Sequence, residues 1–422
     1  EAHERESWTG EEWRAWKEER LAFLLHRAAT QVPYYRDEWV RRRAAGDDAP
    51  WEDLANWPEL DKEAVRRAPE DFVADDVDRR KLLEVVTSGT TGTPIRLWRS
   101  RTMDRSWYAL FEAWKRRWYG IDRTSRWAIV GGRSVVPPDQ RRPPFWVWNA
   151  GMHQLYLSGL HIGRETVAAY LDAMARHRVS HMIGYPSSLY AMAWMAADQG
   201  LVAPRLRVVV SNAEPLRPEH REAIARVFGC PVRDTYGMVE TVAAANECEH
   251  GGMHLWPDVG VVEAVDDEGH AVPPGTPGAL ICTGLLNADM PLIRYRVGDR
   301  AVLGAPTGEP CACGRRLPVL ERIEGRSIDN LVAPDGRRLF WWDPTVFAGI
   351  PTRERQVIQE RVDKIDVVVV PAEGFDEASE RLVVERMRRL LGDVEVTVRR
   401  ADAIPRGPNG KFRSVVSHVA QR

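Results

Sequence analysis

From Gly163 onward the chain alternates two hydrophobic periods, and this alternation limits its fold more than any other feature. Val167, Tyr170, Leu171 and Met174 fall at i, i+3, i+4 and i+7, the spacing that lines one face of a helix. His181 to Tyr185 then reads as a strand, Ser187 to Gln199 as a helix, Leu206 to Val210 as a strand, and Pro218 to Phe228 as a helix that Gly229 can end. Strands that alternate with helices are joined by crossovers, which implies parallel α/β sheet. Between Gly260 and Leu303 the pattern changes to short strands separated by turns such as Asp267-Glu268-Gly269, the mark of a β-rich subdomain. After Arg326 a fresh unit begins, with a strand at Ile365 to Val370, a helix at Asp376 to Leu391 and a strand at Val394 to Val398. The expected fold class is α/β: a large N-terminal domain with parallel α/β sheets and a β-rich subdomain, followed by a small α+β C-terminal domain. Upstream, Glu11 to Ala29 reads as a helix that Pro33 ends, and Leu82 to Val86 as a short buried strand entering a Gly/Thr-rich turn.

Composition narrows the functional classes. The 422 residues exceed one ordinary domain, and 44% hydrophobic with 28% charged residues reads as soluble and globular. A net charge of −2 argues against a nucleic-acid binder that relies on a broad basic field. No apolar run reaches the length of a membrane helix, and the charged opening residues contain no signal-like core. Five cysteines, an odd number, form no disulfide framework and fit a reducing cytoplasm. Only six of the 59 basic residues are lysines, so each lysine is informative.

The densest chemical signal is Thr87-Ser88-Gly89-Thr90-Thr91-Gly92-Thr93-Pro94. Its glycines let the backbone approach an anion, and its N–H groups and hydroxyls supply donors for phosphate oxygens. It is not a Walker A loop, because Pro94 and Ile95 stand where that pattern needs Gly and Lys. The segment resembles the phosphate loop of the adenylate-forming superfamily of acyl-CoA ligases and adenylation domains. Further segments fall in that family's order. Asn212-Ala213-Glu214-Pro215 resembles its adenine-binding stretch, and Asp234-Thr235-Tyr236-Gly237-Met238-Val239-Glu240 resembles its Tyr-Gly-x-x-Glu motif. Tyr295-Arg296-Val297-Gly298-Asp299 resembles the ribose-binding motif, Gly325-Arg326 the domain hinge, and Pro405 through Gly410-Lys411 the catalytic-lysine loop. Val32-Pro33-Tyr34-Tyr35, Leu60-Asp61-Lys62 and Gly184-Tyr185-Pro186-Ser187-Ser188-Leu189 are similar to the phenylacetate-CoA ligase-like branch.

The resemblance implies ATP- and Mg²⁺-dependent activation of a small-molecule carboxylic acid to an acyl-AMP, with release of pyrophosphate. Transfer to a thiol, of CoA or a carrier protein, follows. It also implies a boundary scheme of 1–325 for the large domain, 326–330 for the hinge and 331–422 for a mobile small domain. Thr87, Ser88, Gly89, Thr90, Thr91 and Gly92 would hold phosphates, with Thr90 in the catalytic set. Asn212, Ala213, Glu214, Pro215, Asp234, Thr235, Tyr236 and Gly237 would hold the base, while Asp299 offers acceptors to the ribose hydroxyls. Arg326 would contact nucleotide or set the hinge. Glu240 is a single carboxylate suited to Mg²⁺, which keeps several waters and bridges phosphates. Lys411 supplies a compact ammonium where negative charge grows during attack at the α-phosphorus.

Cys248, His254, Cys311 and Cys313 offer three thiols and one imidazole, the donor set of a closed structural Zn²⁺ site, with His250 as the alternative imidazole. His161 stands where the family often places a pocket residue, and a structural histidine is the competing reading. The stretch Val332 to Gly336 and the bulky Phe340-Trp341-Trp342 depart from the pantetheine-tunnel pattern of CoA-using relatives. The alternative is therefore an amide-forming ligase, or another oxyacid-activating enzyme, with an amine acceptor. A phosphotransferase or ATPase would give ADP and leave the Lys411 loop unexplained, and a non-catalytic zinc scaffold would bind no nucleotide.

Overall fold

A proline joins the first two helices of the chain instead of ending the helical arm. Helix α1 (Gly10–Gln31) opens with a capping box, in which Thr9 Oγ1 accepts from the Glu12 amide and Glu12 accepts from the Thr9 amide at 2.7 Å. Pro33 then starts α2 (Pro33–Ala44) at a first-turn position, where its missing N–H has no helical partner to lose. The expectation of a helix stop at Pro33 thus captures the boundary but misses the second helix. The structure is a computed structural model and describes residues 4–87, 94–132, 135–305, 310–326, 331–339, 343–407 and 410–419.

Asp61 caps α3 (Lys62–Arg67) through the Glu63 amide. Strands β1 (Leu83–Val86) and β2 (Arg96–Arg99) pair antiparallel. Residues of β1 alternate half-buried and exposed, so it is a two-stranded hairpin and not the buried strand expected. Helix α4 (Arg101–Leu110), capped by Ser100, runs directly into one π-helical segment at Phe111–Arg116.

The central sheet is built from β3 (Trp127–Gly131), β4 (Trp146–Asn149), β5 (Gln154–Ser158), β6 (His181–Gly184), β7 (Val208–Ser211) and β8 (Val232–Arg233) in the order β4-β5-β3-β6-β7-β8. All pairings are parallel except β4 with β5, which puts one antiparallel strand at the edge. The crossovers include α5 (Val167–Arg176), α6 (Pro186–Asp198) and α7 (Pro218–Phe228). Gly229 at φ +60° closes α7, as its sequence position suggests. Val130, Leu155, Met182 and Val209 of the strands pack with Tyr170, Met174, Leu189, Ile224 and Phe228 of the helices, and all are buried. Complete burial of a large apolar side chain contributes roughly 1.5–3 kcal/mol. On another part of the sheet, Trp127, Ile183, Val208 and Val210 gather with Ile121, while Phe111 and Tyr119 pack against them.

Many tryptophans serve packing. Trp13, Trp114 and Trp256 form a buried cluster against which Trp8, Trp16, Trp107 and Trp118 rest, fastening α1 and α4 to the body. Beyond the central sheet, β9 (Thr235–Gly237), β10 (Ala244–Glu247) and β11 (Met253–Leu255) form a small sheet ordered β11-β10-β9. Strands β12 (Gly260–Val265), β13 (Pro277–Gly284), β14 (Tyr295–Leu303) and β15 (Leu320–Arg326) make the β-rich sheet in sequence order.

The chain divides into two units, one of residues 1–297 with 302–321 and the other of 298–301 with 322–422. In the second, β16 (Leu331–Val332) and β17 (Arg338–Leu339) form a hairpin, and α8 (Asp343–Phe347) follows. Strands β18 (Thr352–Arg361) and β19 (Lys364–Pro371) pair antiparallel. Helix α9 (Glu377–Leu391), capped by Asp376, leads to β20 (Glu395–Arg400), and β21 (Val415–Ser417) completes a sheet ordered β20-β19-β18-β21. Its core joins Val357, Ile365, Val367 and Val369 to Val383, Met387 and Leu391. Among the described residues no helix is long and apolar enough to cross a membrane.

Strand β6 approaches β3 where only hydrogen fits. A Cβ on Gly184 would lie 2.4 Å from Val130 Cγ1 and 2.6 Å from Val130 O. Gly184→Ala is expected to lower unfolding free energy by about 1–3 kcal/mol in a urea titration, as overpacked cores do. An unchanged midpoint would show that the sheet absorbs the methyl.

Candidate functional site

Parallel strands deliver their carboxyl ends, and the loops that follow, to one edge, the usual place for ligands in such sheets. Here that edge receives Gly184-Tyr185-Pro186-Ser187 from β6, Asn212-Ala213-Glu214-Pro215 from β7 and Asp234 from β8. The Asn212 amide donates to Gly184 O at 3.1 Å, and Ala213 takes the left-handed conformation at φ +66°, rare for a residue with a side chain. Glu214 Oε2 accepts from the Ser187 amide at 3.1 Å, so the β7 loop caps α6, whose own N-cap residue Tyr185 makes no side-chain cap. Asn212 Oδ1 and Ser187 Oγ are buried and have no hydrogen-bond partner among the described residues. Buried polar atoms without partners cost about 1–3 kcal/mol each, so this edge is chemically incomplete and suits a ligand that carries donors and acceptors.

Asp234 is held from several sides. Its Oδ1 accepts from Ser211 Oγ at 2.5 Å and from the Thr235 amide at 2.9 Å. Its own amide donates to Glu247 Oε2 at 2.8 Å, and Thr235 Oγ1 donates to Ser211 O at 2.7 Å. Burial pushes the Asp234 carboxyl up to about 6, against the pull of those hydrogen bonds and of Arg221. Tyr236 is half-buried and Gly237 exposed, both in β9.

Glu240 follows β9. Its Oε1 accepts from Tyr295 Oη at 3.2 Å and lies 3.4 Å from Lys62 Nζ, and the side chain is 8% exposed. Burial, with the adjoining Glu240 carboxylate, holds the Tyr295 phenol far above its usual range, so it stays a donor. A single carboxylate already drawing an ammonium is a fitting place for a divalent cation with water and phosphate ligands. Lys62 and Tyr295 were not singled out from sequence as site residues. The scarcity of lysine was the available signal for Lys62, and no local pattern revealed the contact between Tyr295 and Glu240.

Thr87 closes the β1–β2 hairpin, because its amide donates to Ile95 O at 3.0 Å and its Oγ1 accepts from the Ile95 amide at 2.9 Å. Ser88, Gly89, Thr90, Thr91 and Gly92, with Thr93, lie outside the described residues. His161 Nδ1 is 2.7 Å from Ser158 Oγ, and its ring stacks on Phe145 at 4.8 Å.

Three expected site residues fall in the second unit. Asp299 is half-buried within β14, and Arg326 ends β15. Lys411 sits in a closed turn in which the Gly407 amide donates to Lys411 O at 3.0 Å and the Gly410 amide donates to Gly407 O at 2.8 Å. Gly410 at φ +71° permits that turn, and Gln356 fixes its exit by donating to Arg413 O.

The structure brings Cys248, His254, Cys311 and Cys313 together, with all ligating atoms within 4.8 Å of one another, and His250 is not among them. Cys248 Sγ and Cys311 Sγ are 4.0 Å apart, and Cys313 Sγ is 3.4 Å from His254 Nε2. A tetrahedral ion with sulfur at roughly 2.3 Å and nitrogen at about 2.0 Å needs edges of similar length. His254 Nδ1 meets Leu317 O at 3.3 Å, which leaves Nε2 for the ion. Gly252 leaves room for the cluster, because a Cβ would stand 3.3 Å from His254 Nε2 and 3.4 Å from Cys311 Sγ and would crowd both ligands.

Residues 142–289 match the AMP-binding enzyme family, and residues 345–418 match the CapK C-terminal domain. Protein CapK of Staphylococcus aureus is 23% identical over 392 residues, covering 92% of this chain and 85% of its own. The phenylacetate-coenzyme A ligase of Thermus thermophilus is 28% identical and is covered for 96% of each chain. A crystal structure of 2-hydroxyisobutyryl-CoA ligase in the postadenylation state matches with a TM-score of 0.74 at 19% identity, covering 98% of this chain and 91% of that one.

The burial of Asp234 has a measurable signature. A carboxyl whose folded value is raised to about 6 stabilises the protein fully below its unfolded value, and that contribution is lost as pH rises through about 6. Subtracting the Asp234→Asn stability profile from that of the wild type, by urea unfolding between pH 4 and 7, should reveal this loss. A flat difference would place the carboxyl in water.

Proposed function

We propose that the chain is a member of the adenylate-forming superfamily, in its phenylacetate-CoA ligase-like branch, and is an AMP-forming ligase that activates a carboxylic acid with ATP and passes the acyl group to a thiol, a reading that the AMP-binding match and the similarity to phenylacetate-coenzyme A ligase support. In the first half-reaction an oxygen of the acid's carboxylate attacks the α-phosphorus of ATP. The α–β phosphoanhydride bond breaks, pyrophosphate leaves, and acyl-AMP remains. In the second, a thiolate attacks the acyl carbon and AMP departs. The observation that carries this reading is the incomplete edge at Ser187 and Asn212, set beside the braced Asp234–Gly237 stretch and the Glu240 carboxylate.

Asn212 to Pro215 and Asp234 to Gly237 are assigned to the base, and the hairpin that Thr87 closes is assigned to the phosphates. Glu240 is the carboxylate for a Mg²⁺, which when bound would neutralise phosphate charge. Asp299 serves the ribose and Arg326 the nucleotide or the hinge between the two functional halves, taken as 1–325 and 331–422. Lys411 meets the charge that grows on the phosphate oxygens, and its closed turn limits the ordering that the ammonium must undergo. Cys248, His254, Cys311 and Cys313 hold a structural Zn²⁺, with no ligand position left open for chemistry.

Pyrophosphate release across a panel of acids tests the reaction, with mass analysis of products after addition of CoA or of amines to identify the acceptor. AMP and pyrophosphate with a thioester are expected. ADP and phosphate would overturn the reading, and amides without thioesters would replace the thiol by an amine. Lys411→Ala should slow ATP–pyrophosphate exchange by about two to three orders of magnitude, roughly 3–4 kcal/mol. Near wild-type exchange in that variant refutes the lysine's role. Elemental analysis should find close to one zinc per chain, and Cys311→Ser should lose metal together with about 4 kcal/mol of stability. A metal-free wild-type protein of unchanged stability removes the site.

A further inference from the structure

The turn that carries Lys411 is fastened at more points than its own backbone supplies. Its neck is closed by the Gly407 amide, which donates to Lys411 O at 3.0 Å, and Arg406 and Phe412 flank that neck on the two legs of the turn. The side chains of these flanking residues meet, with the Arg406 guanidinium 4.7 Å from the centre of the Phe412 ring. Arg406 Nη2 also donates to Glu354 Oε1, in a pair whose side chains are 25% and 15% exposed.

Both legs are tied to one strand. Side chains along β18 alternate between two faces, and Arg355, Val357 and Gln359 occupy the buried one. Glu354 and Gln356 stand two residues apart on the other face. Glu354 holds the entry leg through Arg406, while Gln356 Nε2 holds the exit leg by donating to Arg413 O at 2.8 Å. Just beyond, the exit leg enters the sheet, because the Val357 amide donates to Ser414 O at 2.8 Å and Val357 pairs with Val415 of β21. Fold stability alone explains the charged pair poorly. Desolvating two charges costs about as much as their attraction returns, and Arg406 Nη1 is buried with no hydrogen-bond partner among the described residues. What the pair does supply is direction. A planar guanidinium that lies on one leg's ring and bonds to the strand fixes both the separation of the legs and the angle between them.

We propose that Glu354 and Arg406 are positioning residues for Lys411: the Glu354–Arg406–Phe412 contact clips the legs of the turn together on β18, so that the lysine backbone is ordered before ATP and acid meet. The proposal rests on the ligase reading for what the ammonium meets. A lysine side chain is long and flexible, and an ammonium displaced by one ångström loses much of its effect on charge growing at phosphorus. Fixing its backbone in advance moves that ordering cost from the reaction to folding. The clip touches neither substrate, so its loss should be felt in kcat more than in KM.

The test is ATP–pyrophosphate exchange by wild type, Glu354→Gln, Arg406→Gln and Arg406→Lys, with folding checked by urea unfolding. Both neutral variants should lose about tenfold in kcat while KM for ATP and for the acid stays within roughly twofold. Arg406→Lys, which keeps the charge for Glu354 and Phe412, should recover most of the rate. In a Lys411→Ala background, Glu354→Gln should cause no further loss, because the clip acts only through that lysine. Wild-type kcat in both folded neutral variants overturns the proposal, and so does a loss that adds in full to that of Lys411→Ala, the mark of a merely structural role. If wild type exchanges no pyrophosphate with any acid, the ligase reading fails separately. The clip is then read from a lysine-specific protease, whose cut after Lys411 sheds residues 412–422 and is counted by mass. That cut should come about tenfold faster in Glu354→Gln and Arg406→Gln than in wild type, and an unchanged rate in both overturns the clip.

Discussion

The register of three parallel strands fixes the candidate site. Val130 of β3 pairs with Gly184 of β6, and Gly184 pairs with Ser211 of β7. The residues that leave the sheet therefore emerge in one row, and the hydroxyl of Ser211 reaches the carboxyl of Asp234 on the neighbouring chain segment. A one-residue slip would turn every side chain to the opposite face and dissolve that row. Gly184 protects the register, because no larger residue fits against Val130.

On this frame the chain places its charges with economy. Most ion pairs are arginine with carboxylate at the surface, where they are worth little. The lysines behave differently at three positions. Lys62 leans on the Glu240 carboxylate, Lys115 is buried over the ring of Phe111, and Lys411 occupies a tight turn in the second unit. A small point charge suits places where a planar guanidinium would need room for its fork.

Much of this was legible in the sequence because it is local. The helices from Val167 to Phe228 followed from apolar spacing, and the closure of α7 followed from Gly229. The four metal-type ligands were legible as residue types, although only the fold shows that segments near 248 and 311 meet. What escaped was non-local or depended on context. The role of Pro33 depends on whether a helix precedes it or follows it, and here both do. The long strand β18 carries Arg, Glu or Gln at every position except Thr352, Val357 and Ile358 and so lacks an apolar run, which hid its pairing with β19. The burial of Lys115 is set by a π-helical turn that leaves no trace in hydrophobic periodicity. The contact between Tyr295 and Glu240 joins residues far apart in the chain through tertiary packing.

The Cys–His cluster has a topological effect beyond its ligands. Its two halves are 63 residues apart, and β12, β13 and β14 all lie within the intervening loop. An ion held there would act as a removable crosslink on the unfolded chain. By chain-entropy reasoning a crosslink of this span is worth about 4 kcal/mol, paid back entirely when the ion departs. Demetallation would therefore lower the cost of opening the β-rich layer while leaving the crossovers of the parallel sheet topologically untouched, so the two layers would exchange amide hydrogens on separate clocks.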